Sequence, residues 1–214
     1  MDRNGRIVSA LLEQHGQTFT EELGIDVRDN TPAPLFQTLC LALLFSARIR
    51  ASMAVDAMRA ILDAGWTTAE HMARSSWQSR VRVLNDAGYA RFDEKTSTML
   101  GETSNFLIER HGGDLRRLRK RADRKPSEER RLLTEFKGIG DVGVDIFFRD
   151  VQAAWPELRP FADRKSLEGA QRLGLPASGA KLSELVDERD FPRLVTALVR
   201  MELAGDADAI LAAA

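Results

Sequence analysis

The chain reads as all-α, and three observations predict that class. Few runs alternate apolar and polar residues with strand period, β-branched residues are not concentrated anywhere, and most segments repeat apolar residues at helical spacing. No internal repeat is present, and no segment reads as a strand.

Ile7, Val8, Leu11 and Leu12 share a helical face and predict an opening helix that ends near Gly16. Thr31-Pro-Ala-Pro34 is a punctuated entry to a helix from Leu35 to about Ala47, apolar nearly all round and so expected at the centre of a core. Further helices are predicted near Ser52–Ala64, Thr68–Arg74, Ser76–Asp86 and Phe92–Arg110, with breaks at Gly65, Gly88 and His111-Gly-Gly113. Pro126-Ser-Glu-Glu129 reads as a helix start, with proline and acids in the first turn, and the helix is expected to run to Phe136. After a glycine turn another helix covers roughly Val142 to Ala154. Trp155-Pro156 and Pro160 mark an irregular connection. Helices near Arg164–Leu173, Lys181–Asp187 and Phe191–Leu203 complete the chain.

With 214 residues the chain holds one large domain or two small lobes sharing a core. Hydrophobic residues at 43% and charged residues at 29% fit a soluble globular protein. The net charge of −1, from 31 basic and 32 acidic residues, argues against a nucleic-acid binder unless cations gather on one face. Arg116-Arg-Leu-Arg-Lys-Arg-Ala-Asp-Arg-Lys125 places seven cations in ten residues. It reads either as a solvated linker, helical or mobile, or as such a face.

Cys40 is the only cysteine and lies in an apolar run, which suits a buried, inert thiol. Disulfides within the chain and sites needing several cysteine ligands are thereby excluded. His15, His71 and His111 match no metal spacing, and Trp66, Trp77 and Trp155 are expected to pack the core. The charged N-terminus lacks a signal-peptide pattern, and the longest apolar run, Leu39 to Phe45, is too short to span a bilayer. A cytoplasmic, nucleoid-associated protein with no membrane partner is the expectation.

The most informative stretch is Leu133-Thr-Glu-Phe-Lys-Gly-Ile-Gly-Asp-Val-Gly-Val144. Gly138 and Gly140 permit positive φ and close backbone approach. The N–H groups after them open the next helix, where no internal acceptor exists, so the turn is suited to grip a phosphate. A lone Gly-x-Gly also fits an ordinary helix–helix turn. Asp163 follows 23 residues after Gly140, in Phe161-Ala-Asp-Arg-Lys165. It precedes a helical stretch, so an N-cap role stands beside any chemical one.

From Pro126 the order is proline, acids, Leu132-Leu133, Phe136, Gly138-Ile-Gly140, a helix, Phe161-Ala-Asp163 and Gln171-Arg-Leu-Gly-Leu175. This order resembles the helix–hairpin–helix DNA glycosylases of the endonuclease III superfamily. Leu41-Ala-Leu-Leu-Phe-Ser-Ala-Arg48 is similar to the buried family helix that ends in Ser-Ala-Gln, and Ala87-Gly-Tyr-Ala-Arg-Phe-Asp-Glu-Lys95 to the Gly-aromatic segment before the next helix. Order and spacing agree over about residues 31 to 175. The resemblance implies an all-α architecture of two helical lobes. Residues 31–150 would form a six-helix barrel-type lobe with the helix–hairpin–helix motif. Residues 1–30 with 151–214 would form a second lobe carrying the aspartate.

Carried over by position, the resemblance implies that Lys137, Gly138, Ile139, Gly140 and Val142 form the hairpin, its amides on a DNA phosphate and its carbonyls sharing a monovalent cation. Asp163 falls on the catalytic aspartate, which stabilises positive charge on the sugar as the base leaves or helps activate the nucleophile. Arg164 and Lys165 are expected phosphate contacts. Arg48 replaces the glutamine that fills the gap left by a flipped base, with a surface ion pair as its ordinary alternative. Tyr89 and Phe45 are the candidate base-pocket aromatics, although a partly buried structural role is the commoner outcome for a tyrosine such as Tyr89.

The departures refine the mechanism. Bifunctional relatives carry a lysine two residues beyond the second glycine, where this chain has Val142, and valine cannot form a Schiff base. The cysteine cluster of many relatives is absent, so no iron–sulfur cluster is expected and no metal ligand is assigned. Leu43 stands where adenine-excising members have a glutamate. The expected function is therefore a monofunctional glycosylase, a monomer acting on double-stranded DNA with a damaged or mismatched base. A non-catalytic DNA-structure binder and a glycosylase/lyase using Lys137 or Lys165 are the alternatives.

Overall fold

A computed structural model of the chain describes residues 2–47 and 49–214. Among these residues helices are the only regular elements, as the periodicity predicts. In chain order they are α1 (Arg3–His15), α2 (Phe19–Glu22), α3 (Pro32–Phe45), α4 (Ala51–Asp63), α5 (Ala69–Arg74), α6 (Trp77–Asp86), α7 (Asp93–His111), α8 (Leu115–Arg121), α9 (Pro126–Leu133), α10 (Asp141–Val151), α11 (Arg164–Arg172), α12 (Gly179–Ser183), α13 (Phe191–Ala204) and α14 (Ala207–Ala213). None is long and apolar enough to cross a membrane. Two compact units are present: residues 1–22 with 148–214, and residues 23–147.

Most starts follow from local capping. Asp2, Thr68, Ser76, Asp114 and Asp163 each accept a backbone N–H of the helix they open. Prolines stand in the first turns of α3, α9 and α13, where a missing N–H costs nothing. α9 stops at Leu133, three residues before the expected end. There the Thr134 hydroxyl turns onto the Arg131 carbonyl (2.8 Å), and the Phe136 N–H bonds to the Leu133 carbonyl (3.1 Å). The tightened turn sends Phe136 inward, 1% exposed. Helices α2, α8 and α14 have no counterpart among the predicted ones. They are too short to show a full apolar repeat, and α8 is masked by its cations.

In the 23–147 unit, α3 is central, with nine residues buried from Leu35 to Leu44. α7 packs against α3, α5, α6 and α8. Its position is fixed by a buried arginine, Arg80, 7% exposed. Arg80 Nε donates to the Ser97 carbonyl on α7 (2.9 Å), and its Nη1 donates to the Ser75 carbonyl (2.6 Å) and the Ser75 hydroxyl (3.0 Å). Gly101 makes room for this group, since a Cβ there would lie 2.6 Å from Arg80 Nη2. In the other unit, Ile7 and Leu11 of α1, Ala170 of α11, Leu194, Leu198 and Met201 of α13 and Ile210 of α14 share one core. Trp155 is fully buried as expected, whereas Trp77 is 39% exposed and donates its Nε1–H to Thr98 Oγ1 (3.0 Å).

Candidate functional site

The glycine hairpin joins α9 to α10 and is seated on α7. Phe136 stands edge-on to Phe106 with centroids 4.9 Å apart and stacks on His111 at 6.2 Å. Thr103 Oγ1 donates to the Lys137 carbonyl (3.1 Å), and Ile139 is buried. These contacts hold the backbone on one side and leave Lys137, Gly138 and Gly140 exposed on the other. Gly138 has φ +87°, where an L side chain is strained. Gly140 has open space where a Cβ would stand, with nothing within 4 Å. Its carbonyl accepts the Val144 N–H (2.9 Å) and so closes the first turn of α10. The N–H groups of Asp141, Val142 and Gly143 then lie in the turn that has no intrahelical acceptor, at the positive end of an eleven-residue helix.

Two carboxylates close to this helix start would repel an anion. Arg130 of α9 meets both: its Nη1 lies 3.7 Å from Asp141 Oδ1, and its Nη2 pairs with Asp145. Arg130 escapes a motif reading because its partners lie eleven and fifteen residues away. Val142 is 63% exposed, a solvent-facing apolar side chain in the first turn of α10. Ser46, just beyond α3, packs beside the hairpin helix: a Cβ on Gly143 would stand 3.0 Å from its Oγ. Phe45 is half-buried at the same helix end. Arg48 lies outside the described residues.

Tyr89 does not offer its ring to a base. It is 1% exposed, its hydroxyl donates to the Leu44 carbonyl (3.0 Å) at the end of α3, and its ring meets the Phe92 edge at 6.5 Å. Burial pushes its hydroxyl pKa up, with a hydrogen bond to Thr96 opposing. Its role is structural, as a strap on the C-terminal end of α3. Cys40 is fully buried and burial raises its thiol pKa, which removes it from chemistry.

His111 carries a pH dependence into the platform beneath the hairpin. Its pKa is lowered, first by burial and then by the nearby Arg121 charge. The folded protein therefore disfavours the protonated ring. Its contribution to stability is complete above the unfolded value of about 6.5 and is lost as pH falls through that value toward the folded one. We expect wild-type stability to decline on acidification from about pH 7 to about pH 5.5, and the decline to be smaller in His111→Phe. Urea denaturation of both proteins across that range checks it; parallel pH curves would remove His111 as the cause.

The candidate carboxylate, Asp163, lies within residues 148–214 of the other compact unit. Asp163 is the N-cap of α11 and 7% exposed. Its Oδ1 accepts the Ser166 N–H (2.7 Å) and lies 2.7 Å from Ser166 Oγ, which also approaches the Val195 carbonyl (3.1 Å). Its Oδ2 accepts a bond from Arg149 Nη1 at 2.6 Å, a pair whose side chains are 4% and 6% exposed. Three residues along, Gln152 clamps the approach to Asp163: its Nε2 donates to the Phe161 carbonyl (3.0 Å), and its Oε1 accepts the Phe161 N–H (3.0 Å). Arg149 in the last turn of α10 and Gln152 just beyond it thus hold both ends of Phe161-Ala-Asp163. Sequence reading misses Arg149, Gln152 and Ser166; only the Asp-x-x-Ser spacing of a cap gave a local signal.

Buried charge continues beyond the pair. Arg149 and Arg200 lie over the Phe19 ring at 5.9 and 4.0 Å. Asp150 is 5% exposed, and burial raises its pKa against the opposing charge of Arg149 and hydrogen bonds from Thr20. Arg164 and Lys165, by contrast, are exposed, and Arg164 lies 3.3 Å from Glu168. Chemically, Asp163 is a fixed carboxylate with three of its roughly four acceptor positions occupied. Such a group can stabilise positive charge, whereas abstraction of a proton requires it to loosen from Arg149.

No protein-family model matches the chain, and no curated protein matches it. Among solved structures it is similar to that of a trapped endonuclease III–DNA covalent intermediate in an estranged-adenine complex. The identity is 13% and the TM-score 0.47, over 76% of this chain and 71% of that one.

Proposed function

We propose that this protein grips the backbone of duplex DNA through the hairpin 137–143 and removes a damaged or mismatched base by hydrolysis. The observation that carries the reading is Gly140, exposed and with nothing within 4 Å of a Cβ position, at the amide-bearing start of α10. Arg130 supports it by offsetting the acids beside that start. In the reaction, water adds its oxygen to the sugar carbon as the base departs with the glycosidic electron pair, the proton the water loses ends on the departed base, and Asp163 is the anion that offsets the developing positive charge. Val142 supports base removal without Schiff-base strand cleavage at that position. The monovalent cation that resemblance implies at the hairpin carbonyls is left as part of this proposal, and no step depends on it.

A second reading, DNA binding without base release, is favoured by the engagement of both Asp163 oxygens by Arg149 and Ser166. Two measurements separate them. Gly140→Ala should leave the melting temperature within a few degrees of wild type while weakening duplex binding at least tenfold, because the added methyl projects only toward the ligand. Unchanged affinity would remove the hairpin grip. Duplexes with single lesions should release free base with wild-type protein and lose that release with Asp163→Asn, its folding checked by its melting curve. Equal release by the variant sinks the role of Asp163, and binding with no release on any lesion leaves the second reading.

A further inference from the structure

We infer that the cationic face of α8 and the turn after it is a second DNA-backbone contact, separate from the hairpin. This inference rests on the DNA-binding reading above. Residues 116–125 hold seven cations and one acid in a chain whose net charge is −1. The structure resolves the choice between a loose linker and an ordered surface. α8 buries Leu115 and Leu118, and Ala122 follows them into the core; Arg117, Lys120 and Arg121 are exposed. Their spacing of three and four residues sets these cations on one face.

Internal neutralisation leaves much of this charge free. Asp114 takes up Arg116 (2.8 Å), and Asp123 takes up Lys125 (3.0 Å). Among the described residues, Arg117, Lys120, Arg121 and Arg124 make no ion pair with a carboxylate. Asp123 and Arg124 both have positive φ, 54° and 53°. Two consecutive non-glycine residues in that conformation are uncommon and unfavourable. They fold the chain back so that Arg124 and Lys125 remain exposed beside the start of α9.

A ridge of exposed arginine and lysine on a fixed helix, four of its cations with no carboxylate at ion-pair distance although Asp114 and Glu128 lie within electrostatic reach of Arg117 and Arg121, suits a polyanion with regularly spaced phosphates. Its place in the chain gives a footprint. α9 has eight residues and separates the ridge turn from the hairpin, a length of about 12 Å. Laid along the duplex axis, that is roughly three to four base pairs at about 3.4 Å of rise each. The ridge therefore contacts phosphates several nucleotides removed from the one at the hairpin.

The test compares wild type, the triple variant Lys120→Gln/Arg121→Gln/Arg124→Asn, and Gly140→Ala. Affinity for a plain duplex is measured over a salt series, with melting curves to verify folding. Anionic phospholipid vesicles serve as a second polyanion. The triple variant is expected to melt like wild type and to show a log K against log salt slope shallower by about two to three, from about 0.9 per lost phosphate contact. Ethylation interference should lose a patch of protected phosphates while the hairpin patch remains. A slope unchanged in the triple variant, with binding still weakened by Gly140→Ala, overturns the ridge and leaves the hairpin reading intact. Failure of the wild-type chain to bind duplex overturns both. Vesicle binding that depends on these cations, without a change in the DNA slope, also overturns the proposal and assigns the ridge to a lipid surface. If the triple variant melts early, the single substitutions are expected to divide the slope change among themselves; singles with wild-type slopes overturn the inference.

Discussion

Arg149→Met is expected to destabilise the protein by about 3–5 kcal/mol, the range for breaking a buried ion pair from one side. The substitution leaves Asp163 almost fully buried without the donor on its Oδ2. Methionine retains much of the arginine stem, so lost packing is not the main cause. The effect should fall substantially when Asp163→Asn is added, because asparagine still caps α11 through the Ser166 N–H and carries no charge. A double-mutant cycle from urea denaturation checks this. Additive losses would mean that the Arg149–Asp163 contact is not the coupling that holds this segment. On the proposed base-removal reading, if Arg149→Met remains folded at low temperature, any base release by that variant reports whether Arg149 positions Asp163 or competes for it.

The second large effect is expected from Arg80→Met, with a loss of about 3 kcal/mol. Carbonyls of Ser97 and Ser75 would lose a charged donor, and each buried acceptor left without a partner costs about 1–3 kcal/mol. The consequence should travel along α7. That helix supplies Thr103 to the Lys137 carbonyl and Phe106 to the Phe136 ring, so a loosened α7 weakens the platform under the hairpin. Amide exchange should accelerate in α7 and in residues 136–139, and DNA affinity should fall although no substituted atom is near the ligand face. Arg80→Lys is expected to recover little, since one ammonium cannot reach both carbonyls in the geometry of the guanidinium fork. Exchange confined to α6 would refute the connection.

Much of the site was legible locally. Gly138 announced a turn because only glycine suits its positive φ, and Asp163 announced a helix start because a carboxylate capping α11 accepts an N–H three residues on. The all-α class and the central place of α3 followed from apolar spacing, a property of the chain itself. Tyr89 was ambiguous for a clear reason: a tyrosine after a glycine can stack on a ligand or turn inward. Only the acceptor at Leu44 chose between them.

The rest depended on partners far apart in sequence. Arg130 meets Asp145 and Arg149 meets Asp163 across fifteen and fourteen residues, and nothing in either neighbourhood marks these arginines among the chain's many cations. The sequence by itself determined a helical protein with a glycine turn between two helices, a valine at the start of the second and an acid after it. Tertiary structure alone decided that Gly140 is exposed with open space at its Cβ position, that the acids beside it are matched by Arg130, and that Asp163 is held by Arg149. The physical reason is that backbone conformation and caps are set by neighbours within four residues. The burial and pairing of charge are set by whatever packing brings to the same place.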